Sequence, residues 1–207
     1  MTGNPLEGIT WLGHASFKVK VAEAVIYIDP WKLDDGEPAD IILITHGHRD
    51  HFSPPDLDKI RKRDTVLISV EDVCTSLKSD VRTVKAGDKL TVKGVEIEVV
   101  PAYNLARQYH PRAKGGVGYI LQAQGRCIYH AGDTDVIPEM AHITADVALL
   151  PAGGTYTMDA SEAAKAANII KPSVAVPMHW GDIVGSRADA EAFKAQCQVP
   201  VQIMEKG

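Results

Sequence analysis

The sequence predicts a layered α/β protein with two β-rich halves, approximately 1–115 and 116–207. Three observations predict it. In each half, strand-like segments come first and helix-like segments are interspersed. Residues 40–45 are almost entirely apolar and β-branched, which is typical of a strand covered on both faces. The 207 residues are 45% hydrophobic, which suffices for a single compact domain over residues 1–207.

The first half is rich in short strands. Residues 15–20 alternate apolar and polar side chains, as a half-buried strand does. Residues 24–29 are more densely apolar and end at Pro30, which cannot continue a strand. Residues 54–63 are predicted to form a helix, with Ser53 as N-cap. Further strands are predicted at residues 9–12, 65–69, 81–84, 89–93 and 95–100.

The helices of the second half carry local start signals. Asp159 and Glu162 form a capping-box pattern at the start of a helix over residues 159–170. Ser186 is the predicted N-cap of a second helix, which runs to residue 197. The strands of this half are predicted at residues 118–122, 126–130, 146–150, 174–177 and 199–204.

Composition and charge narrow the function classes. The formal net charge of -5 disfavours broad electrostatic binding to nucleic acid or anionic membranes. No stretch approaches the roughly 20 apolar residues of a membrane span, and the first ten residues lack the pattern of a signal peptide. We therefore expect a cytoplasmic protein without a membrane span. A nucleic-acid partner is disfavoured, and a homo-oligomer stays open.

One motif carries most of the chemistry. His46, His48, Asp50 and His51 follow the buried strand of residues 40–45 in the spacing H-x-H-x-D-H. The first two imidazoles point the same way if the segment is extended. Imidazole nitrogen and carboxylate oxygen are good ligands for zinc and related ions. The motif therefore predicts a metal site at a strand end.

Two further ligand-type residues follow predicted strands. Asp133 comes shortly after the strand of residues 126–130, and His179 comes shortly after the strand of residues 174–177. Either one alone would be an ordinary turn or core residue. Three strand-end groups of ligand-type residues together favour a metal centre.

These patterns resemble the metallo-β-lactamase superfamily. The resemblance rests on H-x-H-x-D-H, on Gly132-Asp133-Thr134 and on the strand-end His179. It implies a four-layer αββα sandwich with a one- or two-zinc site between its halves. A closer resemblance to the L-ascorbate-6-phosphate lactonases and related metal-dependent hydrolases rests on residues 11–16, 28–31 and 150–158.

The resemblance also implies the ligands of one or two divalent ions. Zinc is the favoured metal, and manganese is the alternative. Two histidines of the motif would bind the first ion, three residues the second, and one carboxylate would bridge both. The ligands of the first ion would be His46 and His48, and those of the second would be Asp50, His51 and His179. The bridging carboxylate would be Asp133. Asp29 would orient a ligand imidazole from behind, while His14 and His130 would lie beside the ligands.

The chain departs from the superfamily pattern at one position. A third histidine for the first ion is expected after the strand of residues 95–100, where Asn104 stands instead. A neutral amide is a poor zinc ligand beside imidazole. Three outcomes stay open: the first ion binds weakly, His110 supplies the missing ligand, or Asn104 coordinates through its oxygen or holds a water or the substrate.

The loop that follows is basic. It contains no acid, and its basic side chains are Arg107, His110, Arg112 and Lys114. Folded over the metals, this loop would bind an anionic substrate, and Arg107→Ala or Arg112→Ala would raise KM. A solvated basic loop is the alternative. Tyr156 could place its hydroxyl on a developing oxyanion, or it could simply pack.

These observations give the hypothesis of a metal-dependent hydrolase of a small anionic ester, lactone or phosphodiester. A metal-bound hydroxide would attack, with Asp50 or Asp133 orienting it and taking up a proton. His48 stands where the diiron members of the superfamily carry Glu, which favours zinc or manganese. The alternatives are a non-catalytic metal-binding protein, which Asn104 favours, and a nuclease of the same superfamily.

Overall fold

The computed structural model describes residues 4–21, 23–77 and 81–207. The first three residues of the N-terminal segment considered above lie outside the described residues. Two six-stranded β-sheets form the centre of the protein, and helices lie outside them. Buried side chains of both sheets and of the helices belong to one hydrophobic cluster. The fold is therefore the four-layer α/β sandwich that the sequence predicts.

The first sheet combines antiparallel and parallel strands. Its strands, in spatial order, are β1 (Ile9–Gly13), β2 (Ser16–Val21), β3 (Ala24–Ile28), β4 (Ala39–Ile44), β5 (Arg61–Ser69) and β6 (Val81–Thr83). β2 is antiparallel to both β1 and β3, and β3 to β6 are parallel. Its helices are α1 (Pro54–Ile60) and α2 (Glu71–Ser76). Since β3 and β4 are parallel, both carboxyl ends reach the same edge, and the residues that follow them meet there.

The second sheet has the same construction. Its strands are β7 (Lys89–Val92), β8 (Val95–Pro101), β9 (Val117–Ala123), β10 (Arg126–His130), β11 (Val147–Pro151) and β12 (Val174–Met178). The last three are parallel and the others antiparallel. Its α-helices are α3 (Ala160–Ile170) and α4 (Arg187–Gln196), and short 3₁₀ helices lie at Arg112–Lys114 and Pro138–His142. The parallel strands again bring their carboxyl ends to one edge.

Hydrogen bonds join the two sheets beside the H-x-H-x-D-H motif. The buried Tyr119 hydroxyl on β9 donates to the Ile44 carbonyl at the end of β4, at 2.8 Å. The Val117 amide donates to the Thr45 carbonyl at 3.1 Å. These bonds hold the carboxyl end of β4 against the second sheet, so that the residues after β4 face residues of both sheets.

The largest differences from the predicted elements are the following. The chain changes sheet between β6 and β7 rather than near residue 115, because β8 pairs with β9 from Glu96 to Pro101. Helix α1 ends at Ile60, and the extended Arg61 already belongs to β5. The strand predicted at residues 199–204 is wrong: a single bridge joins Ala175 to Val201, and Pro200 has no amide to donate.

The local signal at α3 is confirmed. The Asp159 carboxylate accepts from the Glu162 amide at 2.8 Å, and the Glu162 carboxylate accepts from the Asp159 amide at 3.0 Å. Helix α2 was not predicted, and its N-cap, Val70, offers no capping side chain. Among the described residues, no helix is long and apolar enough to cross a membrane.

Candidate metal centre

Histidines and aspartates from both sheets meet at the shared edge. Each lies in a turn or loop that follows a β-strand. This placement brings residues that are far apart in sequence into contact. Their positions are the β1–β2 turn (His14), the loop after β4 (His46, His48, Asp50, His51), the loop after β8 (His110), the turn after β10 (Asp133) and the turn after β12 (His179). All eight of these residues were named from the sequence.

The first group consists of three imidazoles. The His48 Nδ1 atom lies 3.0 Å from His46 Nε2 and 3.1 Å from His110 Nε2. The structure thus brings His110, and not Asn104, to the two histidines of the motif. His46 and His110 are buried, while His48 is more exposed and opens the group to solvent.

The second group consists of His14, Asp50, His51 and His179. The Asp50 Oδ2 atom lies 3.0 Å from His14 Nε2, 3.6 Å from His51 Nε2 and 3.8 Å from His179 Nε2. The sequence placed His14 beside the ligands, and the structure brings its Nε2 atom as close to Asp50 as a hydrogen bond requires.

Asp133 lies between the two groups. Its Oδ2 atom is 3.2 Å from His110 Nε2 and 3.1 Å from His179 Nε2. Its Oδ1 atom is 3.3 Å from His51 Nε2. The carboxylate is almost fully buried and contacts both groups.

Asp29 fixes His51 from behind. Its Oδ2 atom lies 2.7 Å from His51 Nδ1, and its carboxylate also accepts from the Thr45 amide and hydroxyl at 2.8 and 2.7 Å. Since Nδ1 is engaged there, the free His51 Nε2 atom faces the cluster. The Thr45 hydroxyl lies 3.0 Å from His46 Nδ1 and orients that ring in the same way, a role that the sequence analysis missed.

Asn104 holds His110 in place. Its Oδ1 atom accepts from the His110 amide at 2.8 Å and lies 3.1 Å from His110 Nδ1. Its Nδ2 group donates to Asp135 Oδ1 at 3.0 Å and to the Tyr156 carbonyl at 3.2 Å. Both ends of the amide are therefore used by protein groups. Asp135 was missed from the sequence, although it stands two residues after Asp133.

His130 does not reach the cluster. Its Nε2 atom lies 2.9 Å from the Ala15 carbonyl, and its Nδ1 atom accepts from the Gly132 amide at 3.2 Å. Both ring nitrogens are therefore engaged by the backbone. The ring joins the β1–β2 turn to the turn that carries Asp133, and so it shapes the site without facing it.

The structure does not bring the two arginines of the basic loop to the cluster. The Arg107 guanidinium binds Asp135 at 2.7 Å and Glu162 at 2.6 Å. The Arg112 guanidinium binds Glu139 at 3.1 Å and lies over the Tyr103 ring. Lys114 makes no ion pair with any described residue, and it lines the cavity beside His48. Tyr156 lines a second cavity, next to His179.

Burial and charge set the protonation of the cluster. Burial alone would raise the pKa of Asp133, but His179 and His51 hold that pKa well below its usual range. Burial lowers the pKa of His46 well below its ordinary value, and His51 lowers it further. Burial also acts to lower the pKa of His51, but the charges of Asp133 and Asp29 raise it well above its ordinary value. A cation bound at His51 would therefore displace a proton.

The donor set fits one or two divalent ions. Within the described part of the chain, the buried side-chain atoms without a hydrogen-bond partner include His51 Nε2, Asp133 Oδ1 and His179 Nε2. Buried polar atoms normally find partners, so these three atoms require a cation or protons beside them. Ligand nitrogens on a tetrahedral zinc are about 3.4 Å apart, given zinc–nitrogen distances of about 2.0–2.1 Å. The separations within the first group are close to this value.

Comparison with known proteins identifies the family. A family model described as "Beta-lactamase superfamily domain" matches residues 8–179, nearly the whole chain. The chain belongs to the metallo-β-lactamase superfamily. This superfamily member is also 35% identical to a UPF0173 metal-dependent hydrolase of Methanopyrus kandleri, with 96% of this chain and 97% of that protein covered.

Solved structures agree with this assignment. A protein of Parabacteroides distasonis named as a metal-dependent hydrolase is 36% identical, with a TM-score of 0.88, and the match covers 96% of this chain and 93% of that one. Igni18, a metallo hydrolase of Ignicoccus hospitalis, is 27% identical, with a TM-score of 0.80 and coverage of 96% and 95%. This superfamily member is therefore a metal-dependent hydrolase. These relatives do not confirm the closer resemblance to the ascorbate-6-phosphate lactonases.

Proposed function

We propose that this hydrolase binds two divalent ions and cleaves a small anionic ester, lactone or phosphodiester. Zinc is favoured over manganese as the metal. The observation that carries the proposal is the position of Asp133, whose carboxylate contacts His110 of the first group and His51 and His179 of the second. A buried carboxylate between two sets of imidazoles is suited to bridge two cations.

In this proposal His46, His48 and His110 bind the first ion. Asp50, His51 and His179 bind the second, with Asp133 shared. Asn104 positions His110, Asp29 positions His51, and His14 holds Asp50 through the 3.0 Å contact between Nε2 and Oδ2. Hydrogen-bonded partners of this kind fix which ring nitrogen faces the metal.

The residues in and around the cluster would have different roles in hydrolysis. Bound divalent ions would polarise the carbonyl or phosphoryl oxygen of the substrate and lower the pKa of a water molecule to near neutral pH. Asp50 and Asp133 are the carboxylates of the cluster that can orient this water and take up its proton. The Tyr156 hydroxyl, in the cavity beside His179, is a candidate donor to the developing oxyanion.

The alternatives have less support. The non-catalytic reading depended on Asn104 leaving the first group incomplete, and His110 occupies that place in the described geometry. A nuclease would need a basic surface, yet Arg107 and Arg112 are both paired with carboxylates. The cavities at the cluster measure about 210 and 180 Å³, which suits a small molecule.

The first test is metal content, measured by elemental analysis of protein purified without a metal-binding tag. We expect two equivalents per chain. Hydrolysis of a panel of esters, lactones and phosphodiesters would then be compared before and after chelation. His48→Ala should abolish turnover, whereas His142→Ala, an exposed histidine outside the cluster, should not. One equivalent would reduce the proposal to a one-ion site, and none after metal loading would overturn it.

A further inference from the structure

Two cavities adjoin the metal cluster and differ in their walls. They share His48, Tyr109, His110 and Asp133. The first, which we call the charged cavity, continues past the side chains of Asp72 and Lys114. The second, which we call the aromatic cavity, continues past Tyr156, Ile183 and the exposed Arg49. A substrate lying over the cluster therefore meets two different chemical environments.

Exposed apolar side chains concentrate at the aromatic cavity. Among the described residues, large hydrophobic side chains are exposed at Leu105 (61%), Tyr109 (52%), Ile169 (38%) and Ile183 (37%). Tyr109 and Ile183 line the aromatic cavity, and Leu105 belongs to the same loop as Tyr109. Single exposed apolar residues need no explanation, but a group of them beside a polar site indicates a binding surface.

The two tyrosines form a fixed aromatic wall. The rings of Tyr109 and Tyr156 meet edge to face, with centroids 4.7 Å apart and an angle of 89° between their planes. The Tyr156 carbonyl also accepts from Asn104 Nδ2, which links the wall to the loop that carries His110. An edge-to-face pair leaves ring surface free for a third aromatic group.

Arg49 completes this environment. Its side chain is exposed, lines the aromatic cavity and makes no ion pair with any described residue. A guanidinium plane packs favourably on an aromatic face, and it does so at little cost in hydration. The acidic groups of the cavity, Asp50 and Asp133, are turned to the histidines of the cluster. Its outer walls therefore favour an aryl group over a small polar one.

We infer that the aromatic cavity binds an aryl arm of the substrate next to the scissile bond. Tyr109, Tyr156 and Ile183 then determine the preference for aryl-bearing substrates, while the charged cavity takes the polar remainder. This inference rests on the proposed function, because it places the scissile bond over the metal cluster.

Binding of two phosphonates to the metal-loaded protein tests the inference without requiring turnover. Benzylphosphonate and methylphosphonate present the same anionic group to the cluster and differ in the aryl arm. We expect benzylphosphonate to bind at least about tenfold more tightly by calorimetry. Tyr109→Ala and Ile183→Ser should each reduce this ratio to below about threefold. Ile183 lies outside the charged cavity, so Ile183→Ser should do so with methylphosphonate affinity unchanged.

Ile169→Ser is the matched control, because Ile169 is as exposed as Ile183 but lies on α3, outside both cavities. Its ratio should equal that of the unmodified protein. Equal affinities for the two phosphonates would overturn the aryl-arm inference and leave the proposed function intact. The same holds if the Ile183→Ser and Ile169→Ser variants lose the preference equally. If neither phosphonate bound, the proposed function would be overturned, and the inference with it.

Discussion

At the scale of single residues, Asn104 shows how one side chain can change its role without breaking a site. The superfamily pattern places a ligand histidine there, but the Asn104 amide accepts from the His110 amide, faces the His110 ring and donates to Asp135. The His110 Nε2 atom then reaches His48 and Asp133. In the proposed site the ligand would therefore stand six residues further along the loop, with Asn104 supporting it.

This arrangement predicts that Asn104→Ala weakens the binding of one ion. Without the amide, His110 loses the partner that fixes its ring, and loss of such a partner typically costs about 10–100-fold in metal affinity. Competition with a chromophoric chelator would measure both affinities. Leu105→Ala, in the same loop but exposed, is the control and should change neither. Unchanged affinities in the Asn104 variant would contradict the assigned role.

Arg107 acts on the same loop from its other side. The guanidinium bridges Asp135, which holds the loop, to Glu162 at the start of α3. We expect Arg107→Ala to lower the free energy of unfolding by about 1–2 kcal/mol, because a partly buried charged hydrogen bond is lost. The KM for an anionic substrate should stay within about twofold. Urea denaturation and steady-state kinetics would check this, and a raised KM at unchanged stability would restore the anion-site hypothesis.

The sequence predicts the residues of this site better than their contacts. The spacing of the H-x-H-x-D-H motif after a buried strand is a local signal, and so are Asp133 and His179 at strand ends. The choice between Asn104 and His110 depends on how an irregular loop closes. Asp135 controls that closure by accepting from the Leu105 and Ala106 amides, a contact between distant segments that no local pattern encodes.

At the scale of elements, prediction succeeds where the signal is local. The capping box of α3 is readable because Asp159 and Glu162 are three residues apart. Residues 199–204 look like a strand because they are apolar, but only Val201 forms a bridge to the sheet. The change of sheet after β6 was also missed, because strand partners are chosen by packing between distant segments and not by composition.

Asp40 on β4 connects the two sheets and gives a pH-dependent prediction. Burial acts to raise its pKa, but Lys62, the Val25 amide and Lys93 lower it to about 2. Lys93 lies in the turn between β7 and β8, so the ion pair joins the first sheet to the second. The folded pKa lies below the unfolded value of about 3.9. The stabilisation is therefore present above about pH 4 and is lost as the pH falls toward 2.

We expect Asp40→Asn to lower the free energy of unfolding at pH 7 by about 1 kcal/mol, a modest figure because both lysines are partly exposed. The difference from the unmodified protein should shrink between pH 4 and pH 2. Urea denaturation of metal-free protein would measure it without a contribution from acid release of ions. Asp58→Asn, an exposed carboxylate on α1, is the control. A difference that stayed constant down to pH 2 would refute the ion-pair explanation.

At the scale of the whole molecule, the metal cluster joins segments that are distant in sequence. Its side chains follow β1, β4, β8, β10 and β12, so that both sheets contribute. Among the described residues, buried atoms of His51, Asp133 and His179 have no hydrogen-bond partner. Such atoms cost free energy in the folded state. Bound ions should therefore stabilise the packing of one sheet on the other as well as support catalysis.

Chelation should consequently lower the melting temperature. An ion present at about 1,000 times its Kd stabilises a protein by about 4 kcal/mol. At about 2–4 °C per kcal/mol for a chain of this length, each ion is worth at least about 8 °C. Calorimetry before chelation, after chelation and after addition of zinc or manganese would measure the shift and its reversal. His110→Ala should retain only part of it, because the second group stays complete, whereas His142→Ala should retain all of it. A melting temperature indifferent to chelation in protein shown to contain metal would mean that the ions bind the unfolded chain as well as the folded one, and it would contradict the predicted stabilisation.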